Sequence, residues 1–123
     1  MALIDEDLTK PVIMAFYAVF NTLGPGFPEN VYVGALEHEC RKRGLHVGRE
    51  VPIAVTYDGV IVGTFRVDLL IERRVVLEIK ACARHQAHYN QLLSYLRVSN
   101  LQLGLLLYFD HKPDVRRVIR RTV

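Results

Sequence analysis

The sequence predicts a mixed α/β fold, one sheet with helices packed on it, and three observations carry that prediction. Two stretches near the start repeat apolar residues at helical spacing. A β-branched middle is cut by Asp58-Gly59, a strong hairpin pair. A third helical stretch then leads into an almost wholly apolar run at 103–109, as a strand buried on both faces should read. The order is α-α-β-β-β-α-β-β, in which hairpins build the sheet and a crossover helix returns to it. The 123 residues suit one domain, 1–123, with a core that needs no disulfide.

The first helix is expected over 7–23, where Val12, Ile13, Phe16, Phe20 and Leu23 form one stripe. Gly24-Pro25-Gly26 ends it. Pro28 sits where a first helical residue would, and a second helix runs to about residue 43, buried through Val31, Tyr32, Ala35, Leu36 and Cys40. Gly44 stops it. Strands follow at 47–57, 60–71 and 75–82, the last two joined by Glu72-Arg73-Arg74. Residues 84–98 form a helix with Tyr89, Leu92, Leu93 and Leu96 inward. After the apolar strand, 115–119 fits either strand or helix and is read as an edge strand.

Composition narrows the class. The net charge is +3, and all of it sits in the last 14 residues, which hold five basic and two acidic side chains. A basic tail suits a polyanion but names no chemistry. Its arginines, like Arg41-Lys42-Arg43, are expected to be solvated and available to phosphate. The longest apolar run is nine residues, 12–20, far below the roughly 18 needed to span a membrane. The opening Met-Ala-Leu-Ile-Asp-Glu-Asp has no basic leader, so a cytoplasmic protein is expected. Cys40 and Cys82 match no metal spacing and are expected to be buried thiols. The strand at 103–109 is apolar enough that a homo-oligomer is also considered, and the small size of the chain admits a protein partner that positions substrate.

The 60–71/75–82 hairpin carries the chemistry. A turn centred near residue 73 sets Ile71 opposite Val75, Leu69 opposite Leu77 and Asp68 opposite Glu78. One face collects Val67, Leu69, Ile71, Val75, Leu77 and Ile79, all aliphatic. The other collects Arg66, Asp68, Leu70, Val76, Glu78 and Lys80. Opposed residues have Cβ atoms about 4.5–5.5 Å apart. Two carboxylates at that spacing repel unless something positive lies between them, and a hard divalent cation is the obvious candidate. A solvated charged face, with Lys80 paired diagonally to Asp68, is the reading the pattern leaves open.

Asp68 followed by Glu78-Ile79-Lys80 resembles the motif of the PD-(D/E)XK nuclease superfamily, with Val67 where the proline of that motif would stand. Gly26-Phe27-Pro28-Glu29-Asn30-Val31-Tyr32 reads as G-x-x-E-x-x-Y, and Gln91-Leu92-Leu93-Ser94-Tyr95 as Q-x-x-x-Y, similar to the RecB-type branch. Together these resemble the small GxxExxY proteins over roughly residues 8–120.

The resemblance implies a restriction-endonuclease-like core and a metal-dependent nuclease acting on nucleic acid, DNA foremost. It implies Mg²⁺ or Mn²⁺ held by Asp68, Glu78 and the backbone carbonyl of Ile79, and a water activated beside Lys80 for attack on phosphorus. Glu29 shares a helix face with Tyr32 and Leu36, and by resemblance joins the metal shell directly or through water. Tyr32, by resemblance grouped with the substrate-binding residues, either hydrogen-bonds near it or packs. By resemblance Gln91 and Tyr95 border the active site and contact the substrate backbone. His85 and His88, three apart with no third ligand, are not read as a metal pair. A chain with no separate recognition domain also admits a second class: a nuclease-fold binding or assembly module with little or no turnover.

Overall fold

The computed structural model describes residues 5–121. Helix α1 spans Glu6–Leu23 and buries Leu8, Val12, Ala15, Phe16 and Val19, the spacing of one helical face. Gly24 ends it at φ 69°, with its N–H bonded to the Phe20 carbonyl. Helix α2, Glu29–Lys42, buries Tyr32, Val33, Leu36 and Cys40. Strands β1 (Val47–Tyr57), β2 (Val60–Ile71) and β3 (Val75–Lys80) follow. Helix α3 (Gln86–Ser99) then crosses to β4 (Leu103–Phe109), and β5 (Pro113–Ile119) completes the chain order.

The five strands form one sheet in the order β1-β2-β3-β4-β5. Only β3 and β4 are parallel, as a helical crossover requires; every other neighbour is antiparallel. The ambiguous last segment is a strand at the edge, registered Leu103 to Ile119 through Phe109 to Pro113.

Two cores sandwich the sheet. On one face α1 and α2 pack Phe16, Tyr32 and Leu36 against Leu77, Ile79, Leu107 and Phe109. There Phe109 stacks on Tyr32 with ring centroids 4.1 Å apart and meets Phe16 edge-on at 4.7 Å. On the other face α3 packs Leu92 and Leu96 against Val76, Leu106 and Val118. Each such side chain contributes about 1.5–3 kcal/mol by leaving water, so both layers matter to stability. Gly104 sets the spacing of the α3 layer: a Cβ there would lie 2.8 Å from Leu92 Cδ2. No helix among the described residues is long and apolar enough to cross a membrane.

Four expectations are corrected. Cys40 is buried, and burial pushes its thiol up to about 12, but Cys82 is exposed because β3 stops at Lys80. The C-terminal arginines are largely engaged. Arg116 lies 4.3 Å over the Tyr89 ring and bonds Gln86, Arg117 bonds Thr9, and Arg120 bonds the Leu101 carbonyl and Asn100. These contacts tie β5 and the segment after it to α1, to α3 and to the α3–β4 turn. The apolar strand 103–109 is β4, interior and buried along its whole length, so its composition reflects two covered faces and offers no partner surface.

The fourth correction concerns Val67. Leu69, Ile71, Val75, Leu77 and Ile79 face α1 and α2 as expected, but Val67 packs in the α3 core with Val76 and Leu92. The cause lies on the neighbouring strand. Glu50 takes a left-handed φ of 51°, and pairing passes from Arg49–Leu69 to Val51–Val67 with no Glu50–Asp68 pair. Gly48 and Val51, three residues apart, consequently share a side, and a Cβ on Gly48 would come within 2.9 Å of Val51 Cγ2. A regular strand would put them on opposite faces. The hairpin is therefore kinked at Asp68.

Candidate active site

The kink lies where the two carboxylates meet. Pairing between β2 and β3 runs Ile71–Val75, Leu70–Val76, Leu69–Leu77 and then stops. One further step in the same register sets Asp68 opposite Glu78, the juxtaposition the sequence predicts. Side chains replace the backbone ladder there. Asp68 Oδ2 accepts the Ile79 N–H at 2.9 Å, and Glu78 Oε1 accepts the Asp68 N–H at 3.4 Å. Each carboxylate is thus held by the opposite strand. In an extended strand a residue's N–H and C=O project to the same edge. The Ile79 carbonyl accordingly faces the edge of β3 that Asp68 occupies.

Glu78 is only 5 % exposed. Burial first, then the charge and hydrogen bonding of Asp68, push its carboxyl up to about 8, with Lys80 opposing. A buried carboxyl beside a second carboxylate is poorly stabilised as an anion unless a cation joins it. The pair supplies hard oxygen donors, and Mg²⁺ is commonly held by one or two carboxylates with water completing its shell. On that chemistry the residues fit a divalent cation. Among the described residues no three His, Cys, Asp or Glu side chains converge as a metal-holding group, so Glu29 stands back from the pair.

Glu29 begins α2 at the surface but is turned toward the pair. Desolvation raises its carboxyl; Lys80 lowers it, the Asp68 charge raises it, and the Ala81 backbone N–H lowers it. Lys80, the last residue of β3, also acts on Glu78 and on His88. It makes no ion pair among the described residues, so the diagonal Asp68 partner the pattern allowed is not formed.

Tyr32 is fully buried, and its hydroxyl is committed: it donates to the Gly24 carbonyl at 2.5 Å and accepts the Phe27 N–H at 3.2 Å. It has no surface left for substrate. Its work is to fold the loop ahead of Glu29, which corrects the expectation of a substrate contact.

On α3, Gln91 is exposed and Tyr95 half-buried. Tyr95 stacks on Phe65 with centroids 3.9 Å apart and planes within 8°. Burial raises its phenol, and the charges of Glu78 and then Asp68 raise it further, which places it beside the pair. One turn before Gln91, His88 bonds the Tyr108 hydroxyl through Nδ1 at 3.0 Å, and Tyr108 is the β4 partner of Lys80. His85 is occupied in capping α3 through Nδ1. Sequence reasoning missed Phe65 and Tyr108, since only the β2–α3 packing and the β3–β4 register reveal them.

The comparisons with known proteins bear on fold and family. No curated protein matches the chain significantly. Among solved structures, SSO0001 superposes with a TM-score of 0.59 at 17% identity, covering 97% of this chain and 59% of its own. The chain thus spans less than two thirds of that protein's length. An alkaline exonuclease (LHK-Exo) from Laribacter hongkongensis gives a TM-score of 0.45 at 13% identity, covering 98% of this chain and 73% of its own. The first of these likenesses speaks to fold. The family description that matches residues 6–121 speaks to kinship: two helices, a five-stranded mixed sheet and an inserted helix make a restriction-endonuclease-like fold, and the chain belongs to the PD-(D/E)XK nuclease superfamily.

Proposed function

We propose that this chain is a metal-dependent phosphodiesterase that hydrolyses DNA, of the GxxExxY type within its superfamily. The observation that carries the reading is the buried Glu78 pressed against Asp68 on an otherwise apolar hairpin. Such an arrangement costs stability unless it serves a cation.

Asp68, Glu78 and the Ile79 carbonyl would hold Mg²⁺ or Mn²⁺, with Glu29 reaching it through water. When bound, such a cation polarises the phosphoryl group and acidifies water. Lys80 places a positive charge where the pentavalent phosphorus accumulates negative charge, and it orients the attacking water in line. Tyr95 and Gln91 line the approach from α3 and contact the strand. Phe65 fixes the Tyr95 ring, so the hydroxyl arrives already placed.

A second reading, a binding module with little turnover, is favoured by the absence of a third converging metal-ligating side chain among the described residues. Incubation with linear, circular, single-stranded and branched DNA in Mg²⁺ or Mn²⁺ separates the two. The nuclease reading expects cleavage that falls by about 10²–10³ in Lys80→Met, the scale of losing one charge-stabilising group. It also expects cleavage to vanish in Asp68→Ala and Glu78→Ala. Activity surviving both alanine variants rejects the assignment. DNA binding with no metal uptake by calorimetry selects the module.

A further inference from the structure

We propose that the loop before Glu29 forms a pocket for one unpaired nucleobase, so that the strand entering the site is single-stranded at that nucleotide. The inference rests on the nuclease reading above and names its substrate class.

A cavity of about 380 Å³ lies between Pro25, Gly26 and Phe27 in the α1–α2 loop and Asp110 and His111 after β4, with Ala81 and Phe109 completing its lining. Ala81 joins it to the site: it follows Lys80, and its backbone N–H helps lower the Glu29 carboxyl against the rise that burial causes. Phe27 is 43% exposed, a large apolar ring left in solvent next to charged groups. Its position is not accidental slack. The Phe27 N–H is bonded to the buried Tyr32 hydroxyl, and the two rings meet at 87° with centroids 6.1 Å apart. No ring is stacked on Phe27 among the described residues, so a face remains for a π partner.

A second cavity of about 480 Å³ shares Asp110 and His111 with the first and adds Arg84, Tyr108 and Lys112. Arg84 is fixed there by two 2.8 Å bonds to Asp114. Lys112 makes no ion pair among the described residues. The two hollows form one track past the end of β3. One compartment offers an aromatic face with polar edges, and the next offers the Lys112 ammonium, since Arg84 is paired to Asp114. That is the alternation of base and phosphate along one strand. The carboxyl ends of the parallel strands β3 and β4 open onto this track, the usual side for ligands in such sheets. A base still paired in a duplex cannot turn its face onto Phe27, so the nucleotide seated there is unpaired.

The chain contains no tryptophan, which makes Phe27→Trp a clean reporter. Binding of oligothymidylate and of a blunt DNA duplex is measured without divalent metal, where nothing is cut. Oligothymidylate is expected to quench Phe27→Trp emission and to bind it as tightly as the original chain. Phe27→Ala should weaken that binding about ten-fold, the scale of one base–aromatic stack. Phe27→Leu, melted alongside, separates loss of stacking from loss of fold. Unchanged affinity in Phe27→Ala, or unmoved emission with the strand bound, overturns the pocket. So does duplex binding as tight as single-strand binding. Cleavage is then assayed separately in Mg²⁺. Quenching without cleavage supports the pocket and sinks the nuclease reading. Cleavage indifferent to Phe27, with unmoved emission, keeps the nuclease reading and removes the pocket.

Discussion

Replacing Glu78 by Gln should change the pH dependence of stability in a defined direction. Burial against Asp68 pushes the Glu78 carboxyl up to about 8, from about 4.5 in the unfolded chain. Between these values the folded chain keeps a proton that the unfolded chain has released. Stability from this group is therefore complete below about 4.5 and is lost progressively as pH rises through about 8. A shift of this size corresponds to a loss on the order of 3–5 kcal/mol across that window. Glu78→Gln removes the titration but keeps an oxygen for the Asp68 N–H. The assay is urea unfolding of both proteins at closely spaced pH, in chelator. His88, whose imidazole is lowered by burial and by Lys80, destabilises the fold in the opposite direction, on acidification. It is present in both proteins, so their difference isolates Glu78. The original chain should lose stability relative to the variant from pH 5 to 8.5, and Mg²⁺ should restore it, because cation binding displaces the same proton. Parallel profiles for the two proteins would refute the claim that Glu78 is held protonated by burial against Asp68.

Two structural predictions accompany it. Tyr32→Phe removes the bond to the Gly24 carbonyl and should cost about 1–2 kcal/mol by urea unfolding. It should weaken Mg²⁺ affinity as well if the loop it folds places Glu29; unchanged metal affinity would confine Tyr32 to stability. Gly104→Ala forces a methyl against Leu92 and should cost about 1–3 kcal/mol in thermal or urea unfolding. A variant as stable as the original would mean that α3 can lift off β4 freely.

Much of the site was legible because it is local. Asp68 and Glu78 are ten residues apart across a short turn, and strand alternation and hairpin register follow from spacing alone. Lys80 follows at the next position on the same side. Tyr32 was legible as a motif residue but not in its role. Its hydroxyl partners, Gly24 and Phe27, depend on how the chain doubles back between α1 and α2. Val67 misled for a related reason: alternation predicts its face only in a regular strand, and the left-handed residue that breaks the rule, Glu50, lies on the neighbouring strand.

The sequence by itself determined the order of elements, the apolar faces that build the sheet, and the carboxylate hairpin, since each depends on residues near one another in the chain. Tertiary structure alone decided which solvent-facing groups meet at the site. Tyr95 feels the carboxylate charges where Phe65 stacks on it from β2, and Tyr108 neighbours Lys80 because α3 carries the chain across to a parallel strand. It also decided the environment of Glu78: a residue type that is ordinarily charged and solvated is sealed between two strands. Local patterns mark apolar faces for burial, but the burial of a charged side chain depends on everything packed around it.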